Sequence, residues 1–135
     1  MISGHCECGR VRFECDGTIE DFSHCHCSQC RRMHGAAFAT FAGVAASAFR
    51  YLSGESDLTS YASSETLDRV FCSVCGSKIL VSLIQEPEAL YLSMGAIDDD
   101  PPHPPGYHTF VGSRAPWHEI TDELPQYDTE PGVWP

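Results

Sequence analysis

Apolar and polar residues alternate at every second position along much of this chain, the period of a strand with one face buried. Val11, Phe13 and Cys15 alternate with Arg10, Arg12 and Glu14, so residues 9–15 read as a half-buried strand. Residues 18–23 read as a second strand leading into a cysteine-rich knuckle. The apolar run 36–44 has the composition of either a helix or a strand, and Gly35 before it and Gly43 within it favour a strand. A strand over 49–52 ends in a turn at 53–56. Segments 58–63 and 66–71 form a hairpin that delivers Cys72. Further strands are expected over 78–84, 89–94 and 107–111, with a turn at 85–88 and a short element at 117–120. The stretch 98–106 holds four prolines, which fix φ and remove donors, so it is not regular structure. The tail from residue 122 reads as a surface wrap or a partly disordered segment. No 3.6-residue period and no internal repeat stand out, and the fold class is mainly β.

At 135 residues the chain is long enough to bury roughly two-thirds of its extended surface, and it reads as one domain over 1–135. Eight Lys and Arg stand against nineteen Asp and Glu, a formal net charge of −11. Nucleic acid and anionic membranes both need a basic footprint, so neither is expected as a partner. The start, Met1-Ile2-Ser3-Gly4-His5-Cys6, has neither a basic nor an apolar leader region, and no apolar run is long enough for a membrane span. A cytoplasmic, reducing compartment is therefore expected. The composition carries no statement of oligomeric state.

Eight cysteines change the picture more than the charge does. They come as Cys6-x-Cys8, Cys25-x-Cys27-x2-Cys30 and Cys72-x2-Cys75, with Cys15 alone. Thiols this close in sequence converge readily on one ion, and a reducing compartment favours metal over disulfides. Cys72-x2-Cys75-Gly76 is a zinc-ribbon knuckle, and with Cys6 and Cys8 it completes a closed four-thiolate structural site. A redox pair at Cys72 and Cys75 would need a βαβ surround that the pattern lacks. Cys15 falls in register with Val11 and Phe13 and reads as a buried apolar residue, the alternative being a fourth ligand for the second cluster.

Cys25, Cys27 and Cys30 then hold a second zinc with one position open, the arrangement that lets a metal do chemistry. His24, His26 and His34 stand close enough in sequence to fill that position, but a lone His beside a knuckle is more often a supporting or surface residue. Three thiolates and Zn²⁺ sum to −1, so the ion acidifies water less than one held by neutral imidazoles. The open position suits an incoming thiol, which zinc would deprotonate, and the same ion could polarise a carbonyl oxygen. Arg31 and Arg32 follow the knuckle; they either hold a substrate carboxylate or offset the thiolate charge.

These residues resemble a known family. Gly4-His5-Cys6-x-Cys8-Gly9-x-Val11-x-Phe13, Cys25-His26-Cys27-x2-Cys30-Arg31-Arg32-x2-Gly35-Ala36 and Phe71-Cys72-x2-Cys75-Gly76-Ser77 are similar to the glutathione-dependent formaldehyde-activating enzymes, also called the centromere-protein-V/Gfa domain. Gly54-Glu55, Tyr61, Gly95-x-Ile97-Asp98 and His108-x-Phe110-Val111-x-Ser113-x-Ala115-Pro116-Trp117 extend the resemblance over nearly the whole chain. It implies an Mss4-like (β-tent) fold, a structural zinc on Cys6, Cys8, Cys72 and Cys75, and a second zinc on Cys25, Cys27 and Cys30. It implies addition of glutathione to formaldehyde, giving S-hydroxymethylglutathione, a carbon–sulfur lyase reaction with a small thiol and an aldehyde as partners. The catalytic set expected is Cys25, Cys27, Cys30, Arg31 and Arg32. His108 and Trp117 wall the cleft or, for Trp117, belong to the core. The competing classes are a zinc-stabilised binding module with two closed sites, and a thiol sensor in which oxidation releases metal.

Overall fold

The computed structural model describes residues 1–130. Ten strands form two sheets, in agreement with the mainly β expectation. The strands are β1 (Ile2–His5), β2 (Arg12–Cys15), β3 (Asp21–Cys25), β4 (Ala39–Ala45) and β5 (Phe49–Ser53). They continue with β6 (Leu58–Ala62), β7 (Leu67–Cys72), β8 (Lys78–Leu83), β9 (Ala89–Ser93) and β10 (Tyr107–Thr109). One α-helix, α1 (Ser28–His34), interrupts them. The smaller sheet has the order β1-β2-β5 and the larger β10-β3-β4-β9-β8-β7-β6. All the pairings are antiparallel except β10 with β3.

Side chains on a strand alternate between faces, and that alternation gives the large sheet two different surfaces. Ala42 and Val44 of β4, Leu80 of β8 and Leu92 of β9 face the small sheet, where they pack with Ile2, Phe13 and other residues of the main core. The residues between them, Phe41, Val81 and Tyr91, belong to a second cluster with Cys25, Cys27 and Cys30. The cysteine knuckle thus stands on the face of the large sheet turned away from the main core. A bulge at Ile79 keeps both Ile79 and Leu80 in the main core, because Phe71 pairs with Lys78 while Val70 pairs with Leu80.

The alternating segments are found close to where the sequence places them. Cys15 has no exposed surface, as its strand register requires. The second strand begins at Asp21 and runs to Cys25, later than 18–23, and β1 was not read from the sequence at all. Trp117 is 72 % exposed and joins no core cluster; it also lies in no regular element, which corrects both expectations for 117–120. A lone aromatic has no periodic neighbours to say which side faces inward. The tail does wrap: the N–H groups of His108 and Phe110 donate to the carbonyls of Pro125 and Thr129, and Tyr127 N–H donates to His108. This covers the outer edge of β10, which would otherwise be open.

Candidate metal centre and thiol cavity

Two backbone knuckles build the first cysteine group. In the β1–β2 loop Gly9 N–H donates to the Cys6 carbonyl, and in the β7–β8 turn Gly76 N–H donates to the Cys72 carbonyl. Both glycines have φ near +80°, where a side chain is strained. The loops come from different sheets, yet the sulfurs of Cys6, Cys8, Cys72 and Cys75 all lie within 4.8 Å of one another. The Cys6–Cys8 and Cys8–Cys72 sulfur distances are 3.5 and 3.8 Å. A tetrahedral zinc with bonds of about 2.3 Å needs sulfur–sulfur edges of about 3.8 Å, so the group fits that ion. Ser77 helps to hold the thiolate form: its hydroxyl, 3.2 Å from Cys75 Sγ, leads the causes that pull that thiol down to about 5.

The second group is assembled where β3 meets α1. Cys25 ends the strand. Cys27 is the N-cap of the helix, and its sulfur accepts the Cys30 N–H at 3.3 Å. Cys30 lies in the first helical turn and is buried. The short helix was invisible to periodicity because seven residues make barely two turns. The three sulfurs lie within 4.8 Å of one another, and among the described residues no other His, Cys, Asp or Glu joins the group. The contacts of its sulfur with Cys25 and Cys30 pull the Cys27 thiol well below the ordinary range, and those of Cys25 with Cys27 and Cys30 push that thiol up. Thiolates are the form in which cysteines bind a metal, and mutual contact of this kind favours one of them.

The histidines go elsewhere. Strand alternation turns His24 to the face opposite Cys25. His26 is fully buried, and its Nε2 lies 2.8 Å from His108 Nδ1, whose Nε2 is 3.0 Å from Asp122. His108 is thus part of a buried chain of hydrogen bonds and does not wall the cavity described next.

A cavity of about 790 Å³ opens over the three sulfurs. One face of the large sheet lines it: Asp21, Ser23 and Cys25 of β3, then Phe41, Tyr91 and Val81. Parallel pairing places Tyr107 opposite Ser23 and Thr109 opposite Cys25, and both line it too. Gln29 of α1 and Glu130 of the tail close its sides. Arg31 and Arg32 are not among its lining residues. Arg69 is, and sequence reasoning missed it. It is 4 % exposed, on β7, with Nη1 3.5 Å from Cys30 Sγ and Nε donating to Ser63 Oγ at 3.0 Å. A buried cation beside this cluster offsets negative charge on its sulfurs, one of the two roles expected of Arg31 and Arg32. The signal available in the sequence was an arginine two residues on from Leu67, at the position where strand alternation puts it on the same face.

A strand-built thiol cavity and a separate four-thiol group, both of which could hold a metal ion, mark the domain, and comparison with known proteins gives it a family. Residues 1–113 match the profile of the glutathione-dependent formaldehyde-activating enzyme family, and the chain belongs to it. A Halomonas elongata protein, provisionally named a glutathione-dependent formaldehyde-activating enzyme, is 31 % identical over 136 residues, covering 89 % of this chain and 81 % of that protein. A crystal structure of a Rhodobacter sphaeroides protein superposes with a TM-score of 0.61 at 28 % identity, over 74 % of this chain and 91 % of that one. Among the described residues no helix is long and apolar enough to cross a membrane.

Proposed function

We propose that this protein is a zinc-dependent carbon–sulfur lyase with an Mss4-like scaffold, which makes or breaks the adduct of a thiol and an aldehyde in a reducing, cytoplasmic compartment. S-hydroxymethylglutathione is the adduct that the family name points to. The observation that carries the reading is the cluster of three convergent thiols, Cys25, Cys27 and Cys30, on the floor of a cavity of about 790 Å³. Cys6, Cys8, Cys72 and Cys75 would hold a structural zinc, and Cys25, Cys27 and Cys30 a second. At the second site zinc would supply an open position that holds a guest thiol as thiolate.

The chain's own residues do the rest. Arg69 offsets the negative charge of the three thiolates at Cys30 and keeps the floor from repelling an anionic sulfur. Phe41, Val81 and Tyr91 form an apolar wall that keeps water away from the sulfur. In the forward direction the thiol sulfur bonds to the aldehyde carbon, the carbonyl π pair moves to oxygen, and the proton lost by the thiol ends on that oxygen. In reverse the carbon–sulfur bond breaks and both partners are restored. Nothing is oxidised or reduced. Arg31 and Arg32, expected to hold a substrate carboxylate or to offset the thiolate charge, are not among the residues that line the cavity.

The test uses protein loaded with cobalt in place of zinc. Two metals per chain are expected, with glutathione shifting the d–d bands of one, and formaldehyde–glutathione exchange measured by NMR should run faster with the protein than without. Cys27→Ser should abolish the shift and the rate gain while leaving the other metal bound. Bands unmoved by glutathione and by simpler thiols would sink the reading.

A further inference from the structure

His26 stands between two of the three clustered thiols, and it is tied from outside the cluster at both backbone and ring. Its N–H donates to the Thr109 carbonyl of β10 at 3.0 Å. Its ring is fully buried, with Nε2 2.8 Å from His108 Nδ1. His108 is 2 % exposed, and its Nε2 lies 3.1 and 3.0 Å from the two carboxylate oxygens of Asp122. A carboxylate only accepts, so the His108 proton sits on Nε2. In the neutral ring Nδ1 is then an acceptor, and the proton between the two rings comes from His26 Nε2. The other ring nitrogen of His26, Nδ1, is buried and has no partner among the described residues. The contact with His108 is therefore the hydrogen bond that orients the His26 ring, and Asp122 sets its polarity. The hydrogen bond with His108 also leads the causes that hold the Asp122 carboxyl below the ordinary range, in its accepting form. The tail keeps Asp122 in place: Oδ1 accepts the Leu124 N–H at 3.0 Å, and the Pro125 carbonyl accepts the His108 N–H.

We propose that Asp122 is a positioning residue for the thiol cluster: acting through His108 and His26, it holds Cys25 and Cys27 in the arrangement that converges their sulfurs before a metal or a guest thiol arrives. The inference rests on the reading of Cys25, Cys27 and Cys30 as a metal site. Cys25 and Cys27 are bonded directly to residue 26, so a shift of its backbone moves both sulfurs. Cys27 and Cys30 are already tied to each other by the helix cap at 3.3 Å. Cys25 belongs to β3 and not to the helix, so its place relative to the other two is set through His26. Ligands gathered in advance avoid the ordering cost of bringing them together at binding. Asp122 lies beyond residues 1–113, the part of the chain that matches the family. The tail thus does more than cover the edge of β10: it supports the cluster from outside the matched region.

The test uses cobalt-loaded protein, with chelator competition followed at each site by its own absorption bands, assigned with Cys27→Ser. Asp122→Ala is expected to release the second metal about 10- to 100-fold more readily than the wild type and to leave the four-thiol metal unchanged. Asp122→Asn, whose amide oxygen still accepts from His108, should recover most of the loss. Val44→Ala truncates the main core five residues along β4 from the partner of Cys25, and it touches none of these hydrogen bonds. It should hold the second metal as the wild type does. In the unsubstituted protein as isolated, proton–nitrogen correlation NMR should find the ring protons of His26 and His108 on Nε2, a readout that needs no variant. A His108 proton on Nδ1 overturns the positioning role while the metal site stands. So does a second metal held as tightly in Asp122→Ala as in the wild type, an Asp122→Asn as weak as Asp122→Ala, or an equal loss in Val44→Ala. Wild-type protein that takes up only one cobalt per chain overturns the metal site and the positioning role together.

Discussion

At Cys30 a sulfur meets the guanidinium of Arg69, and this contact concentrates the electrostatics of the site in one side chain. Arg69→Met keeps most of the volume and removes the charge. Outer partners of metal ligands commonly contribute 10- to 100-fold in affinity, so the variant is expected to lose metal from the second cluster about that much more readily under chelator competition. The four-thiol site should keep its metal. Arg69→Lys restores charge without the planar fork and should recover only part of the loss. His34 offers a second residue-scale check. Burial, then the charges of Arg69 and Lys78, hold its imidazole down at about 4 against an ordinary 6.5. Between those values the unfolded chain binds a proton that the folded chain does not, so the contribution of neutral His34 is complete above about 6.5 and is lost as pH falls toward 4. The His34 ring-proton NMR shift should stay flat from neutral pH to about pH 5; a midpoint near 6.5 would contradict the buried neutral ring.

Among the elements, β10 is the one whose place depends most on distant chain. It is three residues long, pairs in parallel with β3, and has residues 125–129 bonded along its other side. Its central residue, His108, is 2 % exposed and links His26 to Asp122. Asp122→Ala leaves His108 Nε2 without its acceptor. A buried group left unsatisfied costs about 1–3 kcal/mol, so the urea midpoint should fall accordingly. The same variant should raise hydrogen exchange at the His108 amide, since Asp122 anchors the approach of the wrap. The register of β10 also decides which of its residues face the cavity: a slip by one would remove Tyr107 and Thr109 and turn His108 inward.

For the molecule as a whole, the four-thiol group draws its residues from loops of two sheets that share few other hydrogen bonds at this end. Gly4 bridges to Ile97, Asp98 N–H donates to Ser3, and Glu7 N–H donates to Ser77 Oγ. Cys8 and Cys75 are exposed, so changing either removes a ligand without cutting into the core. Cys75→Ser is therefore expected to lose one zinc per chain and several degrees or more of thermal midpoint, because metal binding in such sites is folding free energy. Cys27→Ser should lose the other zinc with a much smaller change in midpoint, since its cluster sits outside the main core. Zinc stoichiometry by mass spectrometry and calorimetry on both variants separates the two. Equal midpoint losses would contradict the division into staple and working site.

How much of this could be read beforehand follows the range of the interactions involved. Cysteine spacing is local: Cys25, Cys27 and Cys30 converge because a strand end and one helical turn join there, so the two cysteine groups were legible from spacing. Strand alternation is equally local, and it placed Val11, Phe13 and Cys15 in the core. Arg69 could not be found this way. It lies 39 residues from Cys30, and only the β6–β7–β8 pairing and the seat of α1 bring guanidinium and sulfur together. The three acids of the cavity, Asp21, Glu86 and Glu130, come from β3, the β8–β9 turn and the tail, segments with no shared pattern in the chain. Local chemistry gathered the thiols and set the strand faces. The charge that surrounds the thiols arises from non-local register, which a period of two leaves open.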